Sequence, residues 1–157
     1  MSKSESEPGQ KQTDRLPYTV TLEVRDRCLC LSLQRAARAA ARRFDDALRP
    51  LGLTNGQFSL LMSLNRPEPA PLGAIALLLA MDRTTLTANL KPLERRGLVR
   101  SMADPADARR RRLRLTPAGR RLLAAALPLW RRTETAVERQ IGEADAPRLR
   151  ELLTVFS

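Results

Sequence analysis

The 157-residue sequence predicts a mainly α-helical fold, about six helices with one two-stranded β-hairpin. Two patterns carry that expectation. From Cys28 onward, apolar residues recur every three or four positions over most of the chain, the spacing of amphipathic helices. At Leu98–Met102 and Arg109–Leu115 the pattern changes to one that suits strands, with turn residues Asp104-Pro-Ala-Asp107 between them.

Residues 1 to about 20 are polar and lack apolar periodicity, so they read as a flexible tail ahead of one domain over 21–157. A first helix runs from Cys28 to Leu51, with Leu29, Leu33, Ala36, Ala37, Ala40, Phe44, Ala47, Leu48 and Leu51 forming its stripe. Pro50 and Gly52 end it. Thr54 with Gln57 three residues later is a capping-box pattern opening a second helix, whose inward residues are Phe58, Leu61, Met62 and Leu64. The proline-rich stretch Arg66–Pro71 reads as a stiff connector. Leu72, Ile75, Ala76 and Leu79 then form a short helix. A break at Met81-Asp82 follows, where Asp82 can cap the next helix. That helix buries Leu86, Leu90 and Leu93, contains an awkward Pro92, and stops at Gly97.

Two short helices joined by a tight turn form a helix-turn-helix, and a hairpin directly after it makes the winged arrangement over 54–116. The second helix presents Arg83, Thr84, Thr85, Thr87, Ala88, Asn89 and Lys91, with no acid between Asp82 and Glu94. Short polar and cationic side chains of this kind approach base edges and phosphates closely. In the hairpin, Leu113 and Leu115 share one face, with Arg112 and Arg114 opposite. Thr116-Pro117 caps a long helix that carries Leu122, Leu123, Ala126, Leu127, Trp130, Val137 and Ile141, with a kink expected at Pro128. A last helix, capped at Asp145, presents Leu149, Leu152, Leu153 and Phe156.

The composition excludes several functions. With no His, neither a Ser-His-Asp triad, a Cys-His pair nor an imidazole zinc site can form, and two Cys cannot make a structural zinc cluster in one chain. No nucleophile has a base at a recognisable spacing, so neither catalytic residues nor cofactors nor metals are expected. The longest apolar run, Ala74–Met81, is far below the ~20 residues that span a bilayer, and the N-terminus lacks a signal-peptide core. A soluble cytoplasmic protein is the expectation.

The net charge of +11 is concentrated in one place. Residues 91–121 hold eleven basic and three acidic side chains, a balance of +8, while residues 1–27 and 122–157 each balance to zero. Genomic base composition can explain why 25 of 28 cations are Arg, but it does not explain clustering. Five Arg within 109–114 repel one another unless a polyanion lies alongside, most often nucleic acid.

From about Leu22 onward the chain resembles the MarR family of bacterial transcriptional regulators. The residues that carry the resemblance are Leu53-Thr-Asn-Gly-Gln-Phe58, Met81-Asp-Arg-Thr-Thr-Leu86, Leu93-Glu-Arg-Arg-Gly-Leu-Val99, Asp104-Pro-Ala-Asp-Ala-Arg109 and Leu113-Arg-Leu-Thr-Pro-Ala-Gly119. The resemblance implies a homodimer in which helices from 22–50 and 117–157 interleave. Uncovered apolar area at Leu152, Leu153 and Phe156 agrees with that. It also implies DNA recognition, with the Arg83–Lys91 helix in a major groove and the wing along the adjacent minor groove. Arg109 would enter that groove with Asp107 bracing it, and Arg110, Arg111 and Arg112 would substitute or add phosphate contacts. Two-fold symmetry gives an inverted-repeat operator with half-sites ~34–36 Å apart. A ligand-responsive repressor with an aromatic or phenolic effector fits the family's habit.

Two alternatives remain open. One is a non-specific architectural DNA-binding protein. The other is a thiol-based peroxide sensor, since the organic-hydroperoxide regulators of the same family carry a reactive Cys where Cys30 stands. The two tyrosines that orient that thiol fall at Phe44 and Asn55 here, and no later Cys is present to resolve a sulfenate. On one helix Cys28 and Cys30 would point roughly 200° apart, against an internal disulfide. As small buried hydrophobes, both would be inert.

Overall fold

The structure, a computed structural model, describes residues 15–156, with the side chain of Ala108 outside the description. The expected tail falls largely on residues 1–14, which lie outside the described residues. The chain divides after Ala39 into two units. In the first, α1 (Tyr18–Arg27) and the start of α2 (Leu29–Leu48) are separated by Cys28, whose backbone is extended at φ −75°, ψ 105°. Two expectations are corrected here. The tail's last residues already belong to α1, which has no buried residue and so left no apolar period to read. The helix expected from Cys28 to Leu51 starts one residue later and tightens into a 3-10 turn at Arg49–Leu51, because Pro50 has no N–H for the α ladder.

The second unit holds the core. Gly52 closes the 3-10 turn at φ +62°, a left-handed conformation that glycine adopts without strain. Thr54 and Gln57 cap α3 (Asn55–Ser63) reciprocally, each side chain bonding the other's backbone N–H at 3.2 Å. After β1 (Ala70–Pro71) come α4 (Leu72–Leu78), α5 (Arg83–Arg95), β2 (Val99–Asp104), β3 (Asp107–Leu115), α6 (Pro117–Ile141), α7 (Asp145–Leu153) and a closing 3-10 turn, Thr154–Phe156. The described residues hold seven α-helices, in keeping with the expected mainly helical fold of about six.

The sheet is antiparallel in the order β1-β3-β2, so the expected two-stranded hairpin gains a third strand. Its source is the connector: Ala70 is buried opposite Leu113, while Pro71 pairs at the edge, where its missing N–H costs no ladder bond. Leu48, Leu60, Leu61, Ile75, Leu86, Leu93 and Leu113 form the fully buried centre, drawn from α2, α3, α4, α5 and the sheet. Thr116 caps α6 by accepting from the Gly119 N–H at 3.0 Å, and its own hydroxyl donates to the Gly97 carbonyl at 2.7 Å. Gly119 has a packing reason: a Cβ there would lie 2.1 Å from the Leu98 carbonyl oxygen. The last helix is not capped by Asp145. Its N-cap is Ala144, without a side-chain cap, and Asp145 sits in the first turn, where a negative charge favours the helix dipole. The helix-turn-helix followed by its hairpin is a winged helix-turn-helix.

Candidate nucleic-acid interface

Helix α5 starts where the Asp82 carboxylate accepts from the Thr85 N–H at 2.7 Å and from the Thr85 hydroxyl at 2.9 Å. The Thr85 backbone bond, then its hydroxyl, hold the Asp82 carboxyl below its ordinary range. Leu86, Leu90 and Leu93 face the core. Four positions on the opposite side, Thr84, Ala88, Lys91 and Arg95, are exposed at spacings of four, three and four, one continuous face of the helix.

The residues singled out in the sequence divide on this helix. Arg83, Thr84 and Lys91 are exposed, and none of their side chains has a hydrogen bond or ion pair among the described residues. Thr85 is exposed, but its hydroxyl is committed to Asp82. Thr87 is half-buried and donates to the Arg83 carbonyl at 2.7 Å. Asn89, also half-buried, donates to the Thr85 carbonyl at 3.0 Å, and its Oδ1 lies 2.8 Å from where a Cβ on Gly56 would stand. Asn89 therefore packs toward α3. Arg95 extends the outward face, a position that spacing from Thr84 and Lys91 could have indicated.

In the wing, Val99 pairs with Leu115 and Ser101 with Leu113, which places the leucines against the core. Arg114 is exposed, as its register requires. Arg112 is not free: its Nε donates to the buried Asp104 at 2.8 Å. Asp104 also accepts from the Ala106 N–H at 3.0 Å. The Arg112 bond, then the Ala106 N–H, push the Asp104 carboxyl below its ordinary range, and the same bond raises Arg112. Asp104, read in the sequence only as a turn residue, is thus the wing's internal anchor.

Asp107 braces Arg109 through the backbone, accepting its N–H at 3.0 Å, while its side-chain ion pair is with Arg110 at 3.3 Å. Arg111 donates weakly to the Ser101 hydroxyl at 3.3 Å. The Arg109 guanidinium has no partner among the described residues.

These pieces meet in one cleft of about 570 Å³. Arg83, Leu86 and Arg109–Arg111 line it together with Pro71, Leu72, Gly73, Ala74 and Ala76. With no acid in the lining, the cleft presents guanidinium donors over an apolar base. It suits an anionic backbone with room for side-chain entry.

Two other features bear on the sequence reading. A pocket of about 630 Å³ lies among Phe58, Ser59, Met62, Ser63, Leu78, Leu79 and Trp130, with Phe58 and Trp130 stacked at 6.2 Å between centroids. Cys30 is exposed and Cys28 half-buried, which corrects the expectation of two buried hydrophobes. Gln34 donates to the Cys30 sulfur at 3.3 Å, and the Leu31 N–H to that of Cys28 at 3.4 Å. Among the described residues, no three His, Cys, Asp or Glu gather as a metal site, and no helix is long and apolar enough to cross a membrane.

Comparison with known proteins places this geometry. The MarR family model matches residues 53–110, from the turn before α3 to the wing. The transcriptional regulator HosA of Escherichia coli O111:H- is 36% identical over 77 residues, 49% of this chain and 57% of HosA, so the chain spans little more than half of that relative's length. Solved structures extend the likeness. The transcriptional regulator MosR of M. tuberculosis, in complex with DNA, is 42% identical with a TM-score of 0.74, covering 82% of this chain and 92% of MosR. The transcriptional repressor CouR bound to a 23-mer DNA duplex is 30% identical with a TM-score of 0.74, covering 91% of this chain and 99% of CouR. CouR bound to p-coumaroyl-CoA superposes at 0.73, covering 83% of this chain and 92% of CouR.

Proposed function

The chain belongs to the MarR family of DNA-binding transcriptional regulators, which are not enzymes, and we propose that it works as a dimeric, sequence-specific, ligand-responsive repressor. The observation that carries this reading is the shared cleft in which Arg83 of α5 meets Arg109–Arg111 of the wing. Helix α5 enters a major groove, with Thr84, Ala88 and Lys91 toward the bases. Arg109, without a partner among the described residues, reaches into the neighbouring minor groove. Arg110 and Arg111 contact phosphate. The DNA complexes of MosR and CouR support duplex DNA as the ligand.

Dimerisation is supported by apolar side chains that lack cover: Leu152 is 57% and Phe156 65% exposed at the end of the chain. Two copies related by a two-fold axis require an inverted-repeat operator. The pocket beside Phe58 and Trp130 suits an aromatic effector, and the CouR complex with p-coumaroyl-CoA supports an aromatic ligand. Fluorescence anisotropy on a selected operator and on random duplex of equal length tests the reading. A preference of at least about 10³ for the operator is expected. Equal affinities, lost together on adding salt, identify an architectural binder instead.

One observation favours a second reading, thiol-based sensing. Cys28 stands in extended backbone between two helices, so the helical separation that argued against a Cys28–Cys30 bridge does not apply. In such a reaction the two thiols give two electrons and two protons to a peroxide, whose O–O bond breaks to give two waters, or one alcohol and one water, while the disulfide forms. Peroxide that consumes two thiols per chain and releases DNA in the native protein, but not in Cys30→Ser, supports it. DNA binding that persists after both thiols are oxidised contradicts it.

A further inference from the structure

The last turns of α2 touch both helices that flank the core of the winged unit. The Asp45 carboxylate accepts from the Asn55 N–H at 2.6 Å, fixing the start of α3. At the far end of α5, Arg96 donates from Nη1 to the Gly52 carbonyl at 2.5 Å and from Nη2 to the Leu51 carbonyl at 3.0 Å. These carbonyls close the 3-10 turn that ends α2, where free C=O groups carry the negative end of the helix dipole. A guanidinium matches that pair because its donors form a rigid planar fork, and the left-handed Gly52 turns both oxygens toward it.

The N-terminus of α5, in contrast, is satisfied locally by Asp82, and the outward side chains Thr84, Lys91 and Arg95 make no hydrogen bond among the described residues. The fork from Arg96 is therefore the polar tie between the end of α5 and the end of α2, two segments 45 residues apart in sequence at Leu51 and Arg96. We propose that Arg96 is a positioning residue that lets the end of α2 set the pose of α5, with Asp45 doing the same for α3. The inference rests on the reading of α5 as the groove-reading helix. A displacement of the α2 terminus reaches α5 through two charge-assisted bonds, which makes Arg96 a determinant of operator affinity although it lies off the outward face.

The test uses the full-length protein, a selected operator and random duplex. Arg96→Met keeps the apolar stem and removes both donors; Arg96→Lys keeps the charge and a single donor point. Arg96→Met is expected to weaken operator binding about tenfold while random-duplex binding falls no more than about twofold, and Arg96→Lys to recover part of the loss. Leu123→Ala, a core change remote from the tie, supplies a control with lowered melting temperature and an unchanged operator-to-random ratio. Equal losses on both duplexes in Arg96→Met, or unchanged operator binding while Arg83→Ala loses it, overturn the proposal. Unchanged operator binding in Arg83→Ala overturns the groove-reading assignment itself, and the coupling with it.

Discussion

Helix α5 and the wing carry the same kind of residue to the same cleft but are built on opposite principles. On α5 the polar side chains are mostly spent on the helix itself: Thr85 on Asp82, Thr87 on the Arg83 carbonyl, Asn89 on the Thr85 carbonyl. What remains outward is Thr84 and Ala88 set among the cations Arg83, Lys91 and Arg95. In the wing one ion pair, Asp104–Arg112, stiffens the hairpin from within, and Arg109, Arg111 and Arg114 stand exposed around it. The difference separates two tasks. A helix face with short side chains between its cations can approach base edges and discriminate among them, while a ribbon of arginines adds affinity that is indifferent to sequence.

The largest effect that would break this division concerns the wing's charge. Replacing Arg109, Arg110 and Arg111 together by Ala is expected to lower affinity on the order of 100-fold for operator and random duplex alike. The slope of log K against log salt should flatten by about two to three units. A loss confined to the operator would move base reading into the wing. Next comes the wing's seat. Gly119→Ala forces a methyl against the Leu98 carbonyl just before β2, and calorimetric melting should show a loss of about 3 kcal/mol. On the helix side, Thr84→Val should change base preference by about 1 kcal/mol at one operator position in a competition assay, with random-duplex affinity unchanged. Thr85→Val should instead lower stability, because its hydroxyl serves the Asp82 cap.

Smaller still is the turn that leads into α5. Ala80 adopts φ +48°, the left-handed region that costs a Cβ-bearing residue energy, so Ala80→Gly should raise stability by about 0.5 kcal/mol. The Asp104–Arg112 pair contributes fully at neutral pH, and its pH dependence shows only in acid. Its lowered carboxyl pKa contributes stability that is complete above the unfolded value of about 3.9 and is lost as pH falls through the folded one. Asp104→Asn should therefore flatten the acid limb of melting temperature against pH.

Much of this organisation was legible in the sequence because local rules govern it. The Thr54–Gln57 box, the Asp82 cap, the Gly97 stop at φ +65° and the Thr116-Pro117 start depend on neighbours within a few positions, and each stands as read. The alternation at Leu113–Leu115 likewise predicted which wing face is buried. What escaped depends on pairing at a distance. Ala70 becomes a strand only because Leu113 lies opposite, and Asp104 becomes an anchor only because the register brings Arg112 to it. Asn89 looked like a base reader by composition. Its neighbour Gly56 sits on another helix, so no spacing along α5 could reveal the contact. The tie from Arg96 to Leu51 and Gly52 was hidden for the same reason.

The most direct test of the account is selection of binding sites by the intact protein from a pool of random DNA duplexes. The account predicts recovery of an inverted repeat whose half-sites lie about one helical turn apart, ~34–36 Å. A pool that stays random, or that yields a single unpaired half-site, would contradict it.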